Sequence, residues 1–132
     1  MKGYRVALAT TCTPRSKLVG ETVTITIGVR NIGNITIPTG AYVSFTLVEV
    51  GISGSWTTTS PLVVGASQNF TSSPISIDET WSGKSVACEA RVYLSQADWS
   101  SGKPPIGSGS CVGLVNVSVA VPSAEIVSIT AA

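Results

Sequence analysis

Glu21-Thr22-Val23-Thr24-Ile25-Thr26-Ile27-Gly28-Val29-Arg30-Asn31-Ile32-Gly33-Asn34 is the stretch on which the reading of this chain turns. Glu21, Val23, Ile25, Ile27 and Val29 alternate with Thr22, Thr24, Thr26, Gly28 and Arg30. Side chains on a β-strand point to opposite faces in turn, so the segment carries one apolar face and one hydroxyl-bearing face. A strand of that kind belongs to an antiparallel sheet with one side on a core and one side in water. Asn31 to Asn34 then closes it with turn-forming residues.

Working outward, residues 4–12 read as a first strand with Val6 and Leu8 inward, and 13–17 as a loop. Residues 31–40 hold Asn31-Ile32-Gly33-Asn34 and Ile37-Pro38-Thr39-Gly40, so the chain reverses there. A third strand follows over 42–50, with Val43, Phe45 and Leu47 on one face. After a loop at 51–55, residues 56–64 read as a weak strand that Pro61 assigns to a sheet edge. Residues 70–77 form another, kinked or bulged at Ser72-Ser73-Pro74. A polar connection covers 78–84. Residues 85–95 are a second clean strand, with Val86, Cys88, Ala90, Val92 and Leu94 inward. A long loop over 96–110 leads to the last core strand, 111–121, with Val115, Val117, Val119 and Val121 inward. No stretch shows helical periodicity. About seven short strands separated by turn signals predict an all-β antiparallel sandwich over 1–121, with 122–132 as a strand-forming tail.

The chain of 132 residues is long enough for one domain with its own core. Its residues are 43% hydrophobic but only 11% charged, well below the roughly one quarter usual in soluble domains. Ser and Thr supply the polar surface instead, a composition that favours exported or assembled proteins. The net charge of +1 offers no electrostatic footprint for nucleic acid and little resistance to self-association. The apolar patch from Val6 to Ala9 is shorter than the ~7–15 residues of a signal peptide and the ~20 of a membrane-spanning helix. Met1 together with the lack of an export signal favours a virion component over a cell appendage.

Three motifs, in order, resemble the CARDB-type (cell-adhesion-related) immunoglobulin-like domain. Leu18-Val19-Gly20-Glu21-Thr22-Val23-Thr24-Ile25 with Val29-Arg30-Asn31-Ile32-Gly33-Asn34 is similar to its opening. Pro61-Leu62-Val63-Val64-Gly65-Ala66-Ser67 resembles its leucine-then-glycine turn, and Val86-Ala87-Cys88-Glu89-Ala90-Arg91-Val92 its penultimate strand. Together they span about residues 18–95. The resemblance implies a seven-stranded immunoglobulin-like sandwich, non-enzymatic, occurring in surface proteins of bacteria and archaea and often in tandem. After residue 95 the family's acidic, Asn-rich turn is replaced by Asp98-Trp99-Ser100-Ser101-Gly102-Lys103-Pro104-Pro105.

Catalytic parts are scarce. The chain has no His, which removes the usual general base and the common zinc constellations. Asp78 and Glu79 are neighbours that point apart on extended chain and make no glycosidase pair. Glu89 and Arg91 are two apart on one strand face, an ordinary surface ion pair. No catalytic residue, metal site or cofactor is expected. Of the cysteines Cys12, Cys88 and Cys111, a hairpin centred near residue 102 would leave Cys111 about six residues, or ~20 Å, from the partner of Cys88. That separation argues against a Cys88–Cys111 disulfide. Cys12–Cys88 is then the pairing least at odds with the strand ends, against the alternative of small buried thiols.

Trp56, Trp81 and Trp99 fall in or beside loops, where Trp anchors a partner, stacks on sugar or plugs an end of the core. Strand directions place Trp56 and Trp81 at one end and Trp99 at the other. Asn34 and Asn69 head glycosylation sequons in turn and strand-start positions, and a third sequon at Asn116 falls mid-strand. In the tail, Ile126, Val127 and Ile129 make an apolar segment that a completed sandwich does not need. It is suited to edge pairing with a neighbour, as is the first strand, and it also looks like the first strand of a following repeat. The expectation is a structural building block, extracellular or on a virion surface, that binds copies of itself or other structural proteins. The alternative is a cell-surface adhesion or carbohydrate-binding module with a glycan partner; neither nucleic acid nor a membrane span is expected.

Overall fold

The computed structural model describes residues 3–10 and 15–118. Ten strands run β1 (Val6–Thr10), β2 (Arg15–Lys17), β3 (Thr22–Val23), β4 (Thr26–Asn31), β5 (Tyr42–Leu47), β6 (Ile52–Thr57), β7 (Ser67–Thr71), β8 (Ile75–Ser76), β9 (Ser85–Tyr93) and β10 (Gly107–Val117). One sheet has the order β1-β4-β7, continued by the pair β3-β8; the other has the order β2-β10-β9-β5-β6. Every pairing is antiparallel except β2 against β10. The two sheets bury a common core between Ile27 and Val29 on one side and Val43, Phe45, Leu47, Val86, Ala90, Val92 and Val115 on the other. This is the expected immunoglobulin-like sandwich.

The stretch that opens the sequence reading alternates as predicted: Val23, Ile25, Ile27 and Val29 are all buried. It is nevertheless two strands. At Ile25 the ladder is interrupted, and the facing chain is interrupted at Ser72-Ser73-Pro74, where the sequence predicted a kink. Ser72 replaces the missing rungs. Its backbone N–H donates to the Ile25 carbonyl at 2.8 Å, and its Oγ accepts the Ile25 N–H at 2.9 Å. The two breaks face each other, so neither leaves Ile25 with an unsatisfied backbone group.

The inward row continues one residue further, to Asn31, which is almost completely buried. Its Nδ2 donates to the carbonyls of Leu62 at 2.9 Å and Ile35 at 3.0 Å, and its Oδ1 accepts the Gly33 N–H at 3.0 Å. Its backbone exchanges hydrogen bonds with Ala66 and Gly65. Thr58 is the other buried polar side chain among the described residues. Its Oγ1 accepts the N–H groups of Gly40 and Ala41, both at 3.0 Å.

Several boundaries differ from the sequence reading. The predicted loop at 13–17 contains β2, which is held by backbone pairing with β10 and has no buried apolar row to announce it. The third strand stops at Leu47, where Val48–Val50 form a 3₁₀ turn. The weak strand expected at 56–64 lies earlier, at Ile52–Thr57, in full register with β5 from Leu47↔Ile52 to Tyr42↔Thr57. Beyond it, Leu62 makes a lone bridge to Ile37.

The predicted loop at 96–110 holds a short helix, α1 (Gln96–Ser100), whose N-cap Ser95 accepts the Asp98 N–H. It also holds the start of β10. Gly107 and Gly109 read as loop residues, but they are there because β1 crosses closely over them: a Cβ at Gly107 would collide with Val6. β10 consequently pairs earlier than expected and sets Cys111 directly opposite Cys88. The ~20 Å separation estimated from a symmetric hairpin is therefore incorrect. Both cysteines are buried. Cys12 and the tail, with Val119 and Val121, lie outside the described residues.

Replacing Asn31 by Leu should keep the volume and the apolar row while stranding the Ile35 carbonyl and the Gly33 turn. Urea denaturation should show a loss of about 1–3 kcal/mol; an unchanged midpoint would show that the amide network is dispensable.

Candidate interaction surfaces

The three tryptophans take three different environments. Trp81, in the 3₁₀ turn Glu79–Trp81, is 0% exposed and packs in the core cluster. Of the roles the sequence left open, the ring therefore plugs the core and presents no surface for a partner. The turn that carries it starts at Asp78, whose carboxylate accepts from both the backbone N–H and the Oγ1 of Thr80. Those two bonds, the side-chain one first, hold the Asp78 carboxyl below its ordinary pKa.

Trp56 lies on β6 opposite Val43, so it sits near Tyr42 and does not share the Trp81 end as expected. Its ring stacks on Phe45 at 5.2 Å and on Phe70 at 5.7 Å. Phe45 belongs to one sheet and Phe70 to the other, so Trp56 closes the seam between them. Trp99, on α1, covers the opposite face of β5. Its ring lies 5.1 Å from Tyr42 and it keeps 44% of its surface exposed.

Glu89 and Arg91 form the expected surface pair at 3.7 Å. Asn34 and Asn69 are exposed; the Oδ1 of Asn34 accepts the Gly3 N–H at 2.7 Å. Asn116 is engaged at both ends of its amide, by Ser85 at 2.7 Å and the Gly113 carbonyl at 3.1 Å. Ile126, Val127 and Ile129 lie outside the described residues. Among the described residues no three His, Cys, Asp or Glu side chains gather as a metal site would require. None of their helices is long and apolar enough to cross a membrane.

One surface escaped the sequence reading. Between Glu49 and Asp78 the chain has no charged residue. This run folds into β6, β7 and β8, which bring two sheet edges to the same side of the sandwich. Between them runs a groove of about 280 Å³ lined by Phe45, Ile52, Gly54, Trp56, Pro74 and Ile75 with flanking serines. Val63 and Val64, in the same run, are 55% and 52% exposed. The other long side is different: β1 is packed over β10, and the short β2 carries Arg15 and Lys17. The missing charge was a visible signal, but only the topology shows that it gathers at one edge.

No protein-family model matches the sequence, and no curated protein does. Solved structures do. The CARDB domain of a Pyrococcus furiosus protein, crystallised in complex with di-metal ions, aligns with a TM-score of 0.57 at 14% identity, over 89% of this chain and 94% of that one. The solution structure of that domain aligns with a TM-score of 0.58 at 15% identity, over 90% and 99%. A Paenibacillus cycloisomaltooligosaccharide glucanotransferase complexed with cycloisomaltoheptaose aligns with a TM-score of 0.51 at 21% identity, over 89% of this chain and 14% of the enzyme. At these identities the likeness is one of fold. The fold is therefore an immunoglobulin-like β-sandwich similar to that of the CARDB domain.

Trp56→Ala should remove the seam between the sheets and cost about 2–4 kcal/mol in chemical denaturation. Trp99→Ala should cost no more than about 0.5–1.5 kcal/mol, the scale of one aromatic pair. Equal losses would contradict the assignment of Trp56 to the seam.

Proposed function

We propose that this chain is a non-enzymatic structural building block of an extracellular or virion assembly, associating through strand edges with copies of itself or with other structural proteins. The observation that carries the reading is the uncharged side formed by β6, β7 and β8. Natural sandwiches protect sheet edges with charge, proline, bulges or brevity. β6 has six residues in unbroken register, with no charge and no proline. The low charge of the whole chain and the apolar tail at Ile126, Val127 and Ile129 point the same way. The sequence supports the non-enzymatic part in one respect: it contains no His, the usual general base for a hydroxyl nucleophile.

A second reading, an adhesion or carbohydrate-binding module, is favoured by one observation: Trp99 presents a half-exposed ring seated on Tyr42. A glycan array should then give hits that Trp99→Ala abolishes, and an array without hits removes this reading.

For the structural reading, light scattering should show a mass that rises with concentration. Deleting residues 123–132 should return it to that of a single chain at the same concentration. Unchanged assembly after the deletion would exclude the tail as the contact.

A further inference from the structure

Resting on the structural reading above, we infer that the outer edge of β6 is the acceptor for residues 125–130 of a second copy, which enter as an added strand with apolar side chains in the adjoining groove. Four observations lead there. First, β6 is an edge strand of six residues that no other described strand pairs on its outer side, and the candidate donor, Glu125 to Thr130, has the same length. Secondly, the groove beside that edge is open and apolar on its floor, formed by Phe45, Ile52, Trp56, Pro74 and Ile75. A strand not yet committed to a core can fill it with Ile126 or Val127 and Ile129. The β6 strand of another folded copy cannot, because its Ile52 and Trp56 already pack on their own core.

Thirdly, direction favours a second molecule. β10 ends beside Ser85, at the end of the sheet where β6 begins, since Cys88 pairs with Leu47 and Leu47 with Ile52. A chain leaving Val117 for the outer edge of its own β6 must cross four strand spacings, ~19 Å, and would then run parallel to β6. The tail of another copy is free to pair antiparallel, the more stable ladder. Finally, no charge on β6 or its flanks opposes the approach, and the donor carries only Glu125. Because the donor and acceptor surfaces differ, the contact closes as a reciprocal pair or a ring, or propagates as a filament.

The test uses the full chain carrying S53E and S55E. Both serines are exposed, and the new carboxylates would face a strand bearing Glu125, a like-charge arrangement that destabilises strand pairing. The concentration for half-assembly should rise at least about tenfold while the melting temperature stays that of the parent. An excess of a synthetic peptide of residues 122–132 should also disperse the parent assembly. If the double variant melts early, S55E alone replaces it.

Parent-like assembly by a folded variant overturns the inference and leaves the structural reading standing. Assembly that the variant loses but the peptide does not disturb assigns β6 to another occupant and overturns it also. A parent that stays monomeric at millimolar concentration removes the structural reading and this inference with it.

Discussion

A single buried amide organises one end of this molecule. β4 is the strand on which the first sheet is built, and its inward row ends in Asn31 where an aliphatic residue would continue the pattern. A polar group placed there must find partners for all its hydrogen-bonding atoms, because leaving one unmet costs about 1–3 kcal/mol. Asn31 meets that demand by drawing in two separate loops, through Ile35 on one side and Leu62 on the other. Ile37 and Leu62 are thereby set opposite each other and bridge. Thr58 then fixes Gly40 and Ala41 and so the start of β5. Polar satisfaction thus ties these loops to the end of β4 and the start of β5.

The two long sides of the sandwich are finished differently. On one, β1 lies so close over β10 that only glycine fits beneath Val6, and the edge is occupied by its own chain. On the other, Trp56 fills the seam, stacked on Phe45 and tilted against Phe70. Among the described residues, no strand pairs with the outer edge of β6. An edge in that condition is tolerated in a protein kept at high charge or in one meant to be covered. This chain has little charge, and it has none at all along that run. The asymmetry between a closed, glycine-packed side and a charge-free side is the observation on which the proposed association rests.

Much of the architecture was legible in the sequence, because period-two alternation reports directly on burial. Val23, Ile25, Ile27 and Val29, and Val86, Cys88, Ala90 and Val92, are buried as that alternation demands. The kink at Ser72-Ser73-Pro74 was also visible, since proline cannot donate to a ladder. What failed were the elements whose pattern is not hydrophobic. β2 exists through backbone pairing alone, and α1 is too short for periodicity, although Ser95 and Asp98 form the cap that marks its start. The Ser- and Gly-rich start of β10 mimics a loop, so the register of the last hairpin was misplaced and the proximity of Cys88 and Cys111 missed.

The candidate surface divides in the same way. The sequence by itself determined the immunoglobulin-like class, the inward faces of the long strands, the scarcity of charge and the absence of histidine chemistry. Those are properties of composition and of neighbours along one chain. Only the tertiary structure decided that Trp81 is core, that Trp56 is a seam and Trp99 a surface, and that the uncharged run from Val50 to Ile77 becomes two sheet edges on one side. The reason is physical: exposure and adjacency depend on which strands pair and in what register. Those pairings are set by contacts between residues far apart in the chain, which no local pattern records.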